Sequence, residues 1–197
     1  MSYYDIGFIS MTPRPLPPVS FLNECLKIDQ SSPSGLTWLA RPRNHFCSQR
    51  GYLISITRDA GNFAGTQCKS GDGDLFFVVK INQIKYPAHR IVFALANGVD
   101  PYPLEIDHID RNPINNHPSN LRLADRSQNA SNKGIQSNNT SGYRGVTYCK
   151  RTKKWMAQIG LHQKTIFLGR FKNKEDAFNA RKEAQVKLHG EFSSFAL

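Results

Sequence analysis

The apolar residues of the first half of the chain fall into short runs that predict strands. Runs rich in β-branched and aromatic residues occupy 36–39, 52–56 and 75–81, and Gly, Asp and Asn residues separate them. Asn82-Gln83 predicts a tight turn into a further strand at 84–86. No catalytic pattern occurs among these residues, so we predict that this β-rich region is a structural support for the residues after it.

Helical spacing appears on both sides of these strands. A short helix is predicted at 21–28 and a longer one at 87–97. Pro87 suits the first turn of the longer helix, and Asn97-Gly98 suits its end. Its apolar face consists of Ile91, Val92, Leu95 and Ala96.

The next stretch predicts a strand, a polar loop, a second strand and a helix. The strands are expected at 105–109 and 120–123, and the helix at 126–133. Asp125 suits the N-cap of that helix, and Gln128, three residues later, completes a capping-box pattern. These four elements therefore form a compact strand–loop–strand–helix unit.

The C-terminal part predicts three strands and a final helix. The strands are expected at 143–149, 154–161 and 165–171, and the helix at 174–189. Alternation directs the following side chains toward the core: Trp155, Ala157, Ile159, Leu161, Ile166 and Leu168. One helix covers only one face of a three-stranded sheet, so the other face is expected to be open.

The element order predicts an α+β fold with three regions. Residues 1–35 are expected to form an N-terminal arm, whose Pro-rich part is extended and acts as a tether or a partner-recognition segment. Residues 36–135 are expected to hold the β-rich support and a strand–strand–helix core at about 104–134. Residues 136–197 are expected to form a small three-stranded antiparallel sheet with one helix.

Charge changes the picture, because the net charge is +11 and the pI about 9.7. A polyanionic partner is expected, with nucleic acid before an anionic membrane, and a merely soluble basic protein is the alternative. From residue 138 onward the chain has twelve Lys and Arg residues and four acidic residues. Before residue 138 it has fourteen Lys and Arg residues and eleven acidic residues. This asymmetry predicts a nucleic-acid-binding module at the C-terminus. A separate DNA-contacting role is the alternative for the β-rich region.

Cysteine spacing and hydropathy exclude several protein classes. The four cysteines are widely spaced and form no Cys-x-x-Cys pair, so neither a zinc site nor a disulfide framework is expected. The chain has no long apolar run that would span a membrane and no secretory signal. We therefore expect a protein of the cytoplasm, in a bacterial or phage-infected cell.

Residues 107–129 carry the candidate chemistry. Asn120 stands twelve positions after His108, and Asn129 nine positions later. Asp107 carboxylate and Asn129 amide oxygens suit a hard divalent ion such as Mg²⁺, with Mn²⁺ as the alternative. His108 has the side chain for a general base near neutral pH, and Asn120 is expected to tie the loop together. Taken singly, each residue also fits an Asp- and Asn-rich loop without chemistry.

His89-Arg90 opens the helix predicted at 87–97. His89 is a candidate for assisting at the metal, and Arg90 for contacting a phosphate. A structural histidine and a surface arginine are the alternatives.

The stretch from Pro87 to Lys133 resembles the HNH nuclease family, in the branch of phage and intron-encoded homing endonucleases. The matching motifs are His89-Arg90, Asp107-His108-Ile109-Asp110, Asn115-Asn116, Asn120-Leu121-Arg122 and Gln128-Asn129. The resemblance implies a ββα-metal fold with His108 as general base, Asp107 and Asn129 as metal ligands, and Asn120 as loop stabiliser. Arg111 departs from the family, which often has Gly there.

The open face of the C-terminal sheet carries the candidate DNA contacts. On the face itself they are Arg144, Thr147, Lys154, Gln158, Thr165 and Phe167, and Lys150 and Lys153 add charge from the first turn. Lysines would attract phosphates, whereas Arg144 and Gln158 have the side chains to read base edges. A solvated basic face is the alternative.

This module resembles the plant apetala/ethylene-response-factor DNA-binding domain. The matching motifs are Ser141-Gly142-Tyr143-Arg144-Gly145-Val146, Trp155-Met156-Ala157-Gln158-Ile159, Leu168-Gly169-Arg170-Phe171 and Glu175-Asp176-Ala177. Thr147, Gly160 and Thr165 replace arginines that face the groove in the plant domains. The plant target sequence is therefore not expected to carry over.

The predicted function is a metal-dependent DNA endonuclease of HNH homing type, directed to double-stranded DNA by its C-terminal module and acting as a monomer. The alternative is a non-catalytic DNA-binding regulator or architectural protein.

Overall fold

A computed structural model describes residues 14–71, 73–132, 135, 139–161 and 164–189. It shows an α+β protein with several small antiparallel sheets. Contacts divide the chain into two units, Met1–Leu123 and Ala124–Leu197. The domain boundaries expected from the sequence stay a prediction.

Among the described residues, the first unit contains three α-helices and most of the strands. Its helices are α1 (Val19–Cys25), α2 (Gln49–Ile54) and α3 (Ala88–Asn97). Its strands are β1 (Leu26–Ile28), β2 (Leu36–Trp38), β3 (Thr66–Lys69), β4 (Leu75–Ile81), β5 (Ile84–Pro87) and β6 (Glu105–His108). The strand β7 (Leu121–Ala124) pairs with β6, and its last residue is the first residue of the second unit.

The hairpin of β4 and β5 forms where it was predicted. Asn82 and Gln83 have φ of 48° and 65°, which is the backbone that a two-residue hairpin turn requires. With β3 on its other side, β4 becomes the centre of a three-stranded sheet ordered β3-β4-β5. Val79 and Ile81 of β4 are fully buried on the core face.

Helix α3 lies at the centre of this core. Its Ile91 and Val92 are fully buried, and the helix contacts α1, β1, β4, β5 and β6. Gly98 ends it with a left-handed φ of 72°, as the sequence predicted. Leu22 and Leu26, which lie within the residues expected to form the arm, are buried in the same core. Residues 1–13 lie outside the described part of the chain.

The strand predicted at 52–56 is wrong. This segment is helical, with α2 followed by a π-helical turn over Ser55–Asp59. Ser48 caps α2 because its hydroxyl accepts a hydrogen bond from the backbone N–H of Gly51 at 3.1 Å. The cap and the hydrogen bonds within the helix outweigh the β propensity of this aliphatic and aromatic run. Leu53 of this helix is exposed.

The second unit begins with α4 (Arg126–Asn132), and the capping box predicted for it is confirmed. Asp125 Oδ1 accepts from the backbone N–H of Gln128 at 2.8 Å, and Gln128 Oε1 accepts from the N–H of Asp125 at 2.7 Å. This reciprocal pair satisfies two donors that have no partner within the helix. The predicted end at Lys133-Gly134 lies outside the described residues.

The rest of the second unit is a three-stranded sheet with one helix, as predicted. Its elements are β8 (Val146–Cys149), β9 (Lys154–Leu161), β10 (Lys164–Phe171) and α5 (Lys174–His189). The antiparallel order is β10-β9-β8, and α5 packs on one face through the fully buried Ala177. Ile166 was expected in the core but is 36% exposed, because it lies near the start of β10 and before a bulge at Phe167 and Gly169.

No helix among the described residues has the length and apolarity needed to cross a lipid bilayer.

Candidate active site

Asp107 is a buried carboxylate at the end of β6. Its side chain is held by Arg122 of β7, whose Nε and Nη2 both donate to Asp107 Oδ2 at 2.8 Å. Asp107 is only 3% exposed, so the ion pair compensates the loss of hydration of its charge. The forked contact also orients the carboxylate, as partners of metal-ligating carboxylates do.

His108, the next residue, is connected to the N-terminal part of the unit through Asn116. Asn116 Oδ1 lies 3.1 Å from His108 Nε2, and Asn116 Nδ2 donates to the backbone carbonyl of Ser34 at 2.9 Å. Burial lowers the pKa of His108 from its usual range, although the bond to Asn116 and the charges of Asp110 and Asp107 oppose the shift. The neutral imidazole therefore dominates at neutral pH.

His89 lies against His108. The two rings meet edge to face, with 5.1 Å between their centroids. Burial first, and then the neighbouring His108 and Arg90, lower the pKa of His89 to about 3. A second neutral imidazole thus stands beside the candidate base.

Asn120 ties the loop between β6 and β7, in the arrangement expected of a loop stabiliser. Its Oδ1 accepts from the backbone N–H of Asp110 at 3.0 Å, and its Nδ2 donates to Asp110 Oδ1 at 2.9 Å and to the Asn115 carbonyl at 2.8 Å. Burial acts to raise the pKa of Asp110, but bonds from Asn112, Asn115 and Asn120 lower it overall. The loop is thereby closed by side chains that the sequence supplies within ten residues of one another.

Arg90 is 5% exposed, and its Nη2 lies 3.4 Å from Oδ1 of Asp100. Asp100 also accepts from the backbone N–H groups of Leu16 and Tyr102. The geometry favours the structural alternative for Arg90 over contact with a phosphate.

Asn129 lies in α4, which belongs to the second unit. Its backbone N–H donates to the Asp125 carbonyl at 2.9 Å, so it stands in the first turns of a capped helix. Its role as a metal ligand stays a prediction.

The donor chemistry fits a hard divalent ion with few protein ligands. Among the described residues, no three His, Cys, Asp or Glu side chains cluster as they would for a closed metal site. Asp107 offers one oriented carboxylate. Mg²⁺ commonly binds through one or two carboxylates and keeps several waters.

The predicted DNA-contact residues of the second unit fall into two groups. The strand pairings put Thr147, Gln158, Thr165 and Phe167 on one side of the sheet, and all four are exposed. Lys154 begins β9, and Lys150 and Lys153 lie in the turn before it, also exposed.

Arg144 differs from this group. It precedes β8 and is partly buried, and burial lowers its pKa. It lies beside Arg181 of α5, whose pKa is lowered to about 10 by burial and by the charge of Arg144. Arg144 is therefore placed less favourably for reading base edges than Gln158.

Sequence reasoning missed three functional candidates. Asn116 and Arg122 stand in the matching motifs, but no role was assigned to either, and nothing in the sequence connects Ser34 to His108. Arg170 was also missed, although it pairs with Met156 and its guanidinium lies 5.3 Å from the Phe167 ring centre. Strand alternation from Phe167 would place Arg170 on the covered face, and the bulge between Phe167 and Gly169 brings it to the open face instead.

Comparisons with known proteins agree with this geometry. The family model described as HNH endonuclease matches residues 86–131. Protein 3.8 of Escherichia phage T7 is 32% identical over 116 residues, covering 54% of this chain and 88% of the phage protein. The Uncharacterized HNH endonuclease L560 of Acanthamoeba polyphaga mimivirus is 46% identical over 55 residues, covering 27% of this chain and 29% of that protein. No solved structure matches the chain.

The HNH match includes His89, Arg90, Asp107, His108, Asn120 and Asn129. It supports nuclease activity, and hence a nucleic-acid substrate. The chain belongs to the family of phage T7 Protein 3.8 and carries an HNH endonuclease domain at residues 86–131.

Proposed function

We propose that this protein is a metal-dependent DNA endonuclease of homing type, in which His108 is the general base that activates water for phosphodiester hydrolysis. The observation that carries the proposal is the held imidazole of His108, directly after the oriented carboxylate of Asp107 and inside the HNH segment. A base must be neutral and oriented to accept a proton. The burial that lowers the pKa of His108 and the bond to Asn116 that orients its ring support this role.

The hydrogen bonds of Asn116 support Nδ1 of His108 as the nitrogen that acts as the base. The Ser34 carbonyl can only accept, so the Asn116 atom facing it is the amide NH₂. The oxygen of Asn116 therefore faces His108 Nε2, which must carry the hydrogen. In that neutral tautomer the lone pair is on Nδ1, and Nδ1 is the atom that takes the proton from water.

Asp107 and Asn129 would hold the divalent ion, Mg²⁺ or alternatively Mn²⁺. When bound, the ion would stabilise negative charge on the scissile phosphate and on the departing 3′ oxygen. Arg122 keeps the Asp107 carboxylate oriented, and Asn120 keeps the loop closed behind His108. Asn116 and Asn120 thus serve as positioning residues.

The test is cleavage of supercoiled plasmid by the full chain with Mg²⁺ or Mn²⁺, against the same reaction in EDTA. We expect nicked or linear product only with the divalent ion. Should the wild type shift plasmid in a gel and leave it intact under all these conditions, the non-catalytic DNA-binding regulator would replace the nuclease.

The tautomer of His108 is a prediction that a spectrum can check without activity. Long-range ¹H–¹⁵N NMR of the full chain should show His108 with its hydrogen on Nε2. Asn116→Ala should give a mixture of tautomers and lower kcat by roughly 10- to 100-fold with little change in KM, as loss of an orienting partner does. A wild-type signal with the hydrogen on Nδ1 would contradict this assignment.

The exposed sheet face of the second unit is proposed to direct the enzyme to double-stranded DNA. The similarity to the plant DNA-binding domain and the placement of Gln158, Thr147 and Phe167 on one face support this role. The exposed lysines at 150, 153 and 154 would contact phosphates.

Two variants separate the attraction of phosphates from the recognition of bases. Lys150→Gln/Lys154→Gln should weaken binding to all sequences and flatten its salt dependence by about 0.9 in slope for each lost phosphate contact. Gln158→Ala should change cleavage-site preference and leave that slope intact. Unchanged site preference in Gln158→Ala would remove its base-reading role, and an unchanged slope in the lysine variant would remove the phosphate contacts.

A further inference from the structure

A basic groove lies on the face of the β3-β4-β5 sheet that points away from the core. Successive side chains of β4 alternate, so Val79 packs into the core and Lys80 points to the other face. The groove has a volume of about 450 Å³ and is lined by residues of the first unit only. The β-rich region was expected to be a structural support, but this groove in it is lined by charged side chains.

Two lysines lie side by side on the groove floor. Lys80 of β4 and Lys85 of β5 are directly opposite each other in the antiparallel pair, and both are exposed. No ion pair joins either lysine to a carboxylate within the described part of the chain. Like charges at directly opposite positions destabilise a sheet. A bound anion would remove this repulsion.

The wall of the groove adds two guanidinium groups. Arg41 is held between the rings of Trp38 and Phe46, at 4.9 and 4.5 Å from their centres, and its Nε donates to Ser55 Oγ at 3.2 Å. Its charge is thus oriented before any ligand binds, which reduces the entropy lost on binding.

Arg58 is the second guanidinium, and its partner Asp59 at 2.8 Å is the one acidic residue among the described residues of the lining. The lining therefore has four cationic side chains against one carboxylate. Phe63, 55% exposed, adds an apolar edge to the groove. A cluster of lysine and arginine side chains attracts the phosphate backbone of nucleic acids.

We propose that this groove binds the phosphate backbone of duplex DNA, as a contact separate from the sheet of the second unit. The choice of DNA as the polyanion rests on the proposed function, and the phosphate chemistry follows from the groove itself. Lys80 and Lys85 bind phosphates on the floor, and Arg41 adds an oriented cation from the wall. The β-rich region is then part of the DNA path as well as a support.

The experiment measures binding of the full chain to a duplex of fixed sequence in EDTA, over a range of KCl concentrations. Lys80→Gln/Lys85→Gln should reduce the slope of log affinity against log salt by about 1.8, since each phosphate contact contributes about 0.9. The matched control, Lys27→Gln/Arg50→Gln, removes the same charge from exposed positions of the same unit outside the groove, and its slope should match the wild type. Removing the opposed lysines relieves repulsion, so the groove variant should unfold at or above the wild-type temperature.

A reduced slope in the groove variant alone supports the groove as a DNA contact. An unchanged slope, as for a groove that binds an acidic protein, or an equal reduction in both double variants, overturns it. The result does not depend on cleavage, because no divalent ion is present. A chain that never cuts plasmid but shows the reduced slope would refute the nuclease and keep the groove.

Discussion

Replacing His108 by alanine is expected to slow cleavage of supercoiled plasmid by about 10²- to 10⁴-fold, the usual contribution of a general base. The variant retains the loop, because Asn120 and not His108 closes it. Asn116 keeps its bond to Ser34 and loses only the imidazole. Affinity for DNA, measured in EDTA, should therefore stay near the wild-type value while the rate constant at saturating enzyme falls.

The matched control is His117→Asn, in the same loop. His117 is exposed and contacts Gln30 and Ser119 but not His108, and asparagine keeps an acceptor for the N–H of Ser119. Its cleavage rate should remain close to that of the wild type. Equal losses in the two variants would mean that His108 acts only through the loop's structure, and a fully active His108→Ala would exclude it as the base.

Replacing Arg122 by alanine is expected to lower the free energy of unfolding by about 3 kcal/mol, because it leaves the Asp107 carboxylate buried without its ion-pair partner. This value lies at the low end for a buried pair, since the Arg122 side chain is 20% exposed. Urea unfolding of the full chain measures the change. The double variant Asp107→Asn/Arg122→Ala should recover part of the loss, because a neutral amide costs less to bury than a carboxylate that has lost its arginine.

Cleavage assays on the same variants distinguish a loss of stability from a loss of catalysis. The double variant regains stability but not activity, because Asp107 is also the proposed metal ligand. Arg58→Ala removes an arginine whose ion pair is largely exposed, and its unfolding should stay close to the wild type. If Arg122→Ala is as stable as Arg58→Ala, the fork on Asp107 does not stabilise the fold.

Local patterns in the sequence predicted a large part of this molecule. The hairpin turn at Asn82-Gln83, the helix end at Gly98 and the capping box of Asp125 and Gln128 formed where they were expected. Each depends on backbone preferences or on bonds between residues at most three positions apart, so spacing alone is enough to predict it. The segment at 52–56 was predicted wrongly, because its apolar run by itself gives no sign of the cap at Ser48 that starts the helix.

The sequence by itself determined the set of chemical groups: Asp107, His108, Asn120 and Asn129 in one ordered stretch, with the basic excess toward the C-terminus. Only the tertiary structure decided how these groups are held. It joins Asn116 to Ser34, 82 residues away, and thereby orients His108, and it buries Arg90 against Asp100. It also gathers Arg41, Lys80 and Lys85 into one groove. Such contacts depend on which distant segments pack together, and packing follows from the burial of the whole core rather than from the spacing of neighbouring residues.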